Sequence, residues 1–101
     1  MKQQLILQFQ SNSIEDYDAV IEYEYKLIEL LEPDDEVDGH DVDGKKMNIF
    51  ILSHNPTAAF ENIRSSKLFE SNNLLSKVIH RLIGSDNHHV LWPSNLEDFE
   101  I

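Results

Sequence analysis

The chain has no cysteine, only three glycines and three prolines, and eight basic residues against nineteen acidic ones in a length of 101. Each scarcity closes off a class of function. Without cysteine there is no disulfide, no thiolate nucleophile and no cysteine-bound zinc, and the redox compartment is left open, with the cytoplasm as the default expectation. Three glycines leave no glycine-rich loop to cradle a phosphate, and no cluster of bases with aromatics suggests RNA or DNA as a partner. The longest apolar runs, LIL and IFIL, fall far short of the ~20 residues that a membrane-crossing helix needs, so no membrane partner is expected. The opening MKQQLILQFQ has one lysine, a short apolar run and no small-residue cleavage site, and reads as a first strand rather than a signal peptide.

What the chain holds in excess is acid. The formal net charge is −11; residues 15–43 carry thirteen acids against Lys26 alone, a local balance of −12, and the remainder sums to +1. A molecule polarised in this way repels phosphate backbones and anionic membranes and speeds encounter with basic partners. Like charges crowded into one segment also repel one another, which costs stability.

Residues 1–101 are read as one α+β domain, with 94–101 as an acidic tail. Residues 2–9 have the polar–apolar spacing of a strand with an apolar centre. Ser13 with Asp16 three residues later predicts a helix start, and Tyr17, Val20, Ile21, Ile28 and Leu31 carry helical spacing up to Pro33, with Leu27 and Leu30 widening the stripe. Residues 36–42 are expected as an edge strand with a bulge at Gly39, Asp43-Gly44 as a type I′ turn, and 46–53 as an interior strand. Asn55 or Ser53 caps a second helix with Pro56 at its first position, and a break falls near FESNN. The pattern of Leu74, Leu75, Val78, Ile79 and Leu82 predicts a further helical segment over 73–84, ending at Gly84, before a last strand in HHVLWP.

That order suits a ferredoxin-like βαββαβ sandwich, an antiparallel sheet with a broken second helix. LIL and NIFIL place apolar side chains on both faces of the central strands, so the face away from the helices needs a cover: the tail, a displaced helix, a second copy in a homodimer, or a foreign partner.

The stretch DDEVDGHDVDGKK, residues 34–46, invites a metal reading. In a strand Asp38 and His40 share one face while Asp41 and Asp43 share the other, and the calcium-loop pattern fails at Gly39 and Phe50, so no metal and no cofactor is assigned. His88 and His89 are adjacent in a strand and point apart; His80 lies beside Arg81, and His54 has no serine-base-acid arrangement to serve. No catalytic residue is assigned. Glu24 stands near the middle of the first helix's apolar stripe, where it is either a buried carboxylate at a functional site or, if the helix rolls to direct Tyr23, Leu27 and Leu30 inward, a rim residue.

The segments EVDGHDVDG, MNIFILSHNP and VLWP together resemble a family of small uncharacterised bacterial α+β domains, over most of the chain and in order. Where those relatives tend to have a glycine-serine-glycine-glutamate turn, this chain has Asp43-Gly44-Lys45-Lys46. The resemblance implies no enzyme activity and no cofactor. In type, though not in motif, a small, acidic, cysteine-free domain is also similar to the immunity proteins of bacterial toxin systems.

Two functional readings follow. In the first, the acidic helix and hairpin dock on a basic protein, most concretely as an immunity protein or inhibitor that occludes a cationic toxin such as a nuclease. Glu22, Glu29, Asp34, Asp35, Asp38 and Asp41 then supply charge, and Tyr23 and Tyr25 the aromatic anchors. In the second, a homo-oligomeric domain binds or turns over a small molecule near His54, Glu24 and Trp92.

Overall fold

The computed structural model describes residues 3–32, 35–71, 74–82 and 88–92. In chain order these form β1 (Gln3–Gln10), α1 (Ile14–Leu31), β2 (Glu36–Asp43), β3 (Lys46–Ser53), α2 (Pro56–Ser65), α3 (Lys67–Ser71), β4 (Leu75–Leu82) and β5 (His88–Trp92). The five strands make one antiparallel sheet in the order β2-β3-β1-β4-β5. Pro33, Asp34, Gly84 and the tail 94–101 lie outside the described residues.

Local chemistry sets the first helix. The Asp16 N–H donates to Ser13 Oγ at 3.1 Å, and Asp16 Oδ2 in turn accepts from the Asn12 N–H at 2.9 Å, so two otherwise unpaired donors are satisfied at the N-terminus. The helix rolls as its rim alternative required: Val20, Tyr23, Leu27 and Leu31 are buried and Leu30 packs beside them, while Glu24 stays at the edge. These four meet Leu5, Leu7 and Phe9 of β1 and Met47, Ile49 and Ile51 of β3, with Ala59, Phe60 and Ile63 of α2 completing the same core. Each buried Val, Leu, Ile, Phe or Met among them contributes about 1.5–3 kcal/mol by leaving water. In α2, Asn55 Oδ1 accepts from the Ala58 N–H at 3.1 Å and Pro56 holds the first turn; the break comes at Ser66, ahead of α3.

Two expectations give way. The four-strand ferredoxin-like order is replaced by five strands because residues 75–82, expected as helix, form β4. Val78 and Ile79 are adjacent and both fully buried, which a strand lying between β1 and β5 permits by facing two packed sides. The apolar spacing there fits either period, and pairing with β1 from Gln3–Leu82 to Phe9–Leu75 decides it. The hairpin also differs: only Gly44 has positive φ, at 61°, and Lys45 does not, which is the pattern of a type II′ turn with glycine first. Asp43 is thereby the last residue of β2, paired with Lys46.

The expected bulge is present. The register of β2 against β3 slips between Val37 and Gly39, and Gly39 sits at φ 116°, a conformation that side chains rarely adopt. Nothing lies within 4 Å of a Cβ built there, so the cost of Gly39→Ala is backbone strain alone. We expect a loss of about 1–3 kcal/mol in urea unfolding; an unchanged midpoint would show that β2 relaxes without cost.

On the face away from the helices, Ile6 and Ile79 are register partners and both fully buried. Beside them Gln8 Nε2 donates to Asn48 Oδ1 at 3.1 Å, both residues being buried. Of the apolar side chains of LIL and NIFIL that lie on this face, Ile6 is out of solvent within one chain, whereas its register partner Phe50 and the neighbouring Leu52 are half-buried.

Tyr23, expected as a surface anchor, is 3% exposed and packs edge-on against Phe9, with ring centres 5.1 Å apart. A side chain held under the sheet cannot meet a partner at the surface. Its hydroxyl is buried with no hydrogen-bond partner, and burial pushes the phenol's pKa well above its usual value. The folded chain therefore keeps a proton that the unfolded chain releases above about pH 10, so stability falls as pH rises through that value. Tyr23→Phe should abolish this alkaline loss and leave neutral-pH stability equal or higher, since no hydrogen bond is sacrificed. Thermal melts at pH 7 and pH 11 check it; an identical alkaline loss in the variant would assign the effect to other groups.

Candidate functional site

Two stripes run along α1. One, Val20-Tyr23-Leu27-Leu31, enters the core. The other, Ile14-Tyr17-Ile21-Glu24-Ile28, alternates steps of three and four and so also forms one face, turned toward β2. Contacts with His40 mark that orientation. Its Nδ1 lies 3.1 Å from both oxygens of Glu24, and its ring meets Tyr17 edge-on at 6.4 Å. The Glu24 side chain is only 13% exposed, so this pair ties the middle of α1 to the edge strand in a partly dry setting.

Around that tie the surface is apolar. The exposed large apolar side chains among the described residues are Ile14 (81%), Tyr17, Tyr25 (64%), Ile28 and Val42 (50%), and all of them belong to α1 or β2. Val42 is two residues beyond His40 and shares its face of the strand, next to the Tyr17 end of the stripe. Such side chains scattered singly would be ordinary; gathered on one edge they form a patch.

The acids surround it. Glu22 is exposed and pairs with Lys26 at 3.6 Å, and Glu29 is exposed near the far end of α1. Asp35 is half-buried, its N–H donating to Leu31 O at 3.0 Å. Asp38 is exposed at the bulge; Asp41 is exposed on the opposite face of β2 and accepts from Asn48 Nδ2 at 3.1 Å. Asp18, Glu29, Asp38 and Asp43 make no ion pair with a described base. Of the residues expected at a partner surface, Glu22, Tyr25, Glu29, Asp38 and Asp41 are therefore exposed, Tyr23 is not, and Asp34 lies outside the described residues.

Sequence reasoning missed the patch itself. Helical spacing puts Tyr17 and Ile28 in the core stripe, gives Ile14 and Val42 no role, and leaves His40 weighed only as a metal ligand. The available signal was the width of the apolar arc on α1, which exceeds what one sheet contact covers. His40 and Asp41 point to opposite sides and are each engaged by other side chains, and no group of three or more metal-ligating side chains occurs among the described residues.

The residues of the small-molecule reading do not converge. Glu24 is at the β2 edge, Trp92 packs on Phe69 at the opposite edge with ring centres 5.4 Å apart, and His54 is exposed. A shallow groove of about 380 Å³ lies between α1 and the α2–α3 junction, lined by Lys26, Glu29, Leu30, Ser66, Lys67 and Leu68, and contains none of the three. Elsewhere, His80 and His89 face each other across β4 and β5 at 5.3 Å; burial, and then the neighbouring His89, lowers the His80 pKa, which favours a neutral ring. No helix among the described residues is long and apolar enough to cross a membrane. No protein-family model, curated protein or solved structure matches the chain.

Proposed function

We propose that this chain is an acidic protein-binding domain that docks through α1 and β2 on a cationic protein and occludes it, most concretely as the immunity partner or inhibitor of a basic toxin such as a nuclease. The observation that carries the reading is the coincidence of two features: the exposed apolar side chains Tyr17, Tyr25, Ile28 and Val42 lie within the segment that holds the whole charge imbalance, and Ile14 immediately precedes it. An apolar centre with a charged rim is the anatomy of a specific interface, in which the centre slows dissociation and the rim speeds encounter. The acids stand where a nuclease would otherwise meet substrate phosphates. Tyr25 and Tyr17 take the anchor role, because they combine apolar area with a hydroxyl and lie at the surface.

The test uses the whole chain as bait at low salt in an extract of its source cells, followed by purification of the basic protein that it retains. The double variant Ile14→Asp, Tyr25→Asp should fold normally, since both side chains are exposed, yet bind that protein about a hundredfold more weakly. Titrating wild-type chain should suppress the partner's own activity in one-to-one proportion. Full-affinity binding by the double variant would remove α1 from the interface.

A further inference from the structure

β2 is the terminal strand of the sheet, and no described strand pairs with its outer side. Its loop is two residues, Gly44 and Lys45, closing on the Asp43–Lys46 pair. Such a loop closes on a hydrogen-bonded pair, so alternation turns the main-chain N–H and C=O groups of Val42 and His40 away from β3, toward the free edge. The side chains of those two residues lie on the helix side, where His40 meets Glu24 and Tyr17. Asp41 and Asp43 lie on the other side, as the Asp41 contact with Asn48 confirms. One edge therefore presents free main-chain groups, an apolar row on one face and an acidic row on the other.

We propose that the outer edge of β2 accepts an extended strand of alternating apolar and basic residues from the cationic partner. The added strand's hydrogen bonds run to His40 and Val42; its side chains opposite those residues pack on Val42, Tyr17 and Ile14, and the alternate ones reach Asp41 and Asp43. A second copy of this chain is the wrong occupant. Its own edge carries Asp38, Asp41 and Asp43, and a net charge of −11 on each copy opposes the approach. The charges that close the edge to self-pairing thus select a basic strand. The bulge at Gly39 breaks the register with β3 and limits the pairing segment to residues 40–43.

The inference rests on the docking reading above and is tested separately from it with three capped eight-residue peptides. The first alternates valine and lysine, the second has the same composition in two blocks, and the third is the alternating peptide with every valine amide N-methylated. Titrated into ¹⁵N-labelled chain at low salt, the first should bind about tenfold tighter than either of the others, because the main-chain groups of His40 and Val42 and both side-chain rows are satisfied together only there. Hydrogen exchange at the His40 and Val42 amides should slow on binding while β3 is unaffected. Asp41→Lys with Asp43→Lys should transfer the preference to a peptide alternating valine and glutamate. If the N-methylated and unmodified peptides bind alike, or exchange at His40 and Val42 does not change, strand addition is wrong. That result leaves docking intact so long as the Ile14→Asp, Tyr25→Asp variant still releases the partner; retention of the partner by that variant would instead overturn the docking reading.

Discussion

Asp18→Asn, Glu29→Gln, Asp38→Asn and Asp43→Asn combined should slow association with the cationic partner by about tenfold or more at low ionic strength, with a smaller rise in the dissociation rate. These four acids make no ion pair with a described base, so their field is directed outward rather than spent inside the chain. Long-range attraction acts before contact, which is why it enters the on-rate. Wild-type association should itself slow steeply as salt shrinks the Debye length from ~10 Å to ~3 Å, and the variant's salt dependence should be flatter. Stopped-flow association across a salt series measures both. The same substitutions relieve repulsion within the −12 segment and should leave thermal stability equal or higher. Association rates that coincide at every salt concentration would make the acidic surface a solubilising one and take away the main support for an inhibitor of a basic protein.

The second large effect concerns the core on which that surface is mounted. Phe9→Ala should destabilise the chain by about 3–5 kcal/mol, a large part of the 5–15 kcal/mol typical of a small domain. Phe9 is fully buried, lies between Met47 of β3 and Leu75 of β4 in the sheet register, and receives the edge of Tyr23 from α1. Removing the ring opens a cavity where two strands and a helix meet, and the sheet backbone cannot close it. Urea unfolding should show the loss directly. Ile14→Ala should cost almost nothing by the same measurement, because its side chain is in water. If Phe9→Ala were equally mild, α1 would not depend on this contact for its position over the sheet.

Some of this molecule was written in short-range sequence. The bounds of α1 follow from Ser13, Asp16 and an apolar spacing that any chain with those residues would obey; the start of α2 follows from Asn55 and Pro56; the hairpin follows from Gly44 between two strand-forming runs. Those signals act between residues a few positions apart, where the backbone alone limits the choices. The acidic polarisation was equally plain, because charge adds without regard to folding.

What lay beyond reach depended on distance in the chain. Residues 75–82 satisfy a helical and a strand pattern alike, and only the free edge of β1, some seventy residues earlier, selects the strand by supplying its hydrogen bonds. Hence the sheet has five strands and β5 lies at its edge. The site was hidden for the same reason. Glu24 and His40 belong to different elements sixteen residues apart, and their contact exists because packing Tyr23 and Leu27 into the core rolls α1 until its second stripe faces β2. Burial of one side of that helix left Tyr17, Tyr25 and Ile14 outside and drew Tyr23 in, since a helix of fixed pitch cannot turn all of its apolar positions toward one sheet.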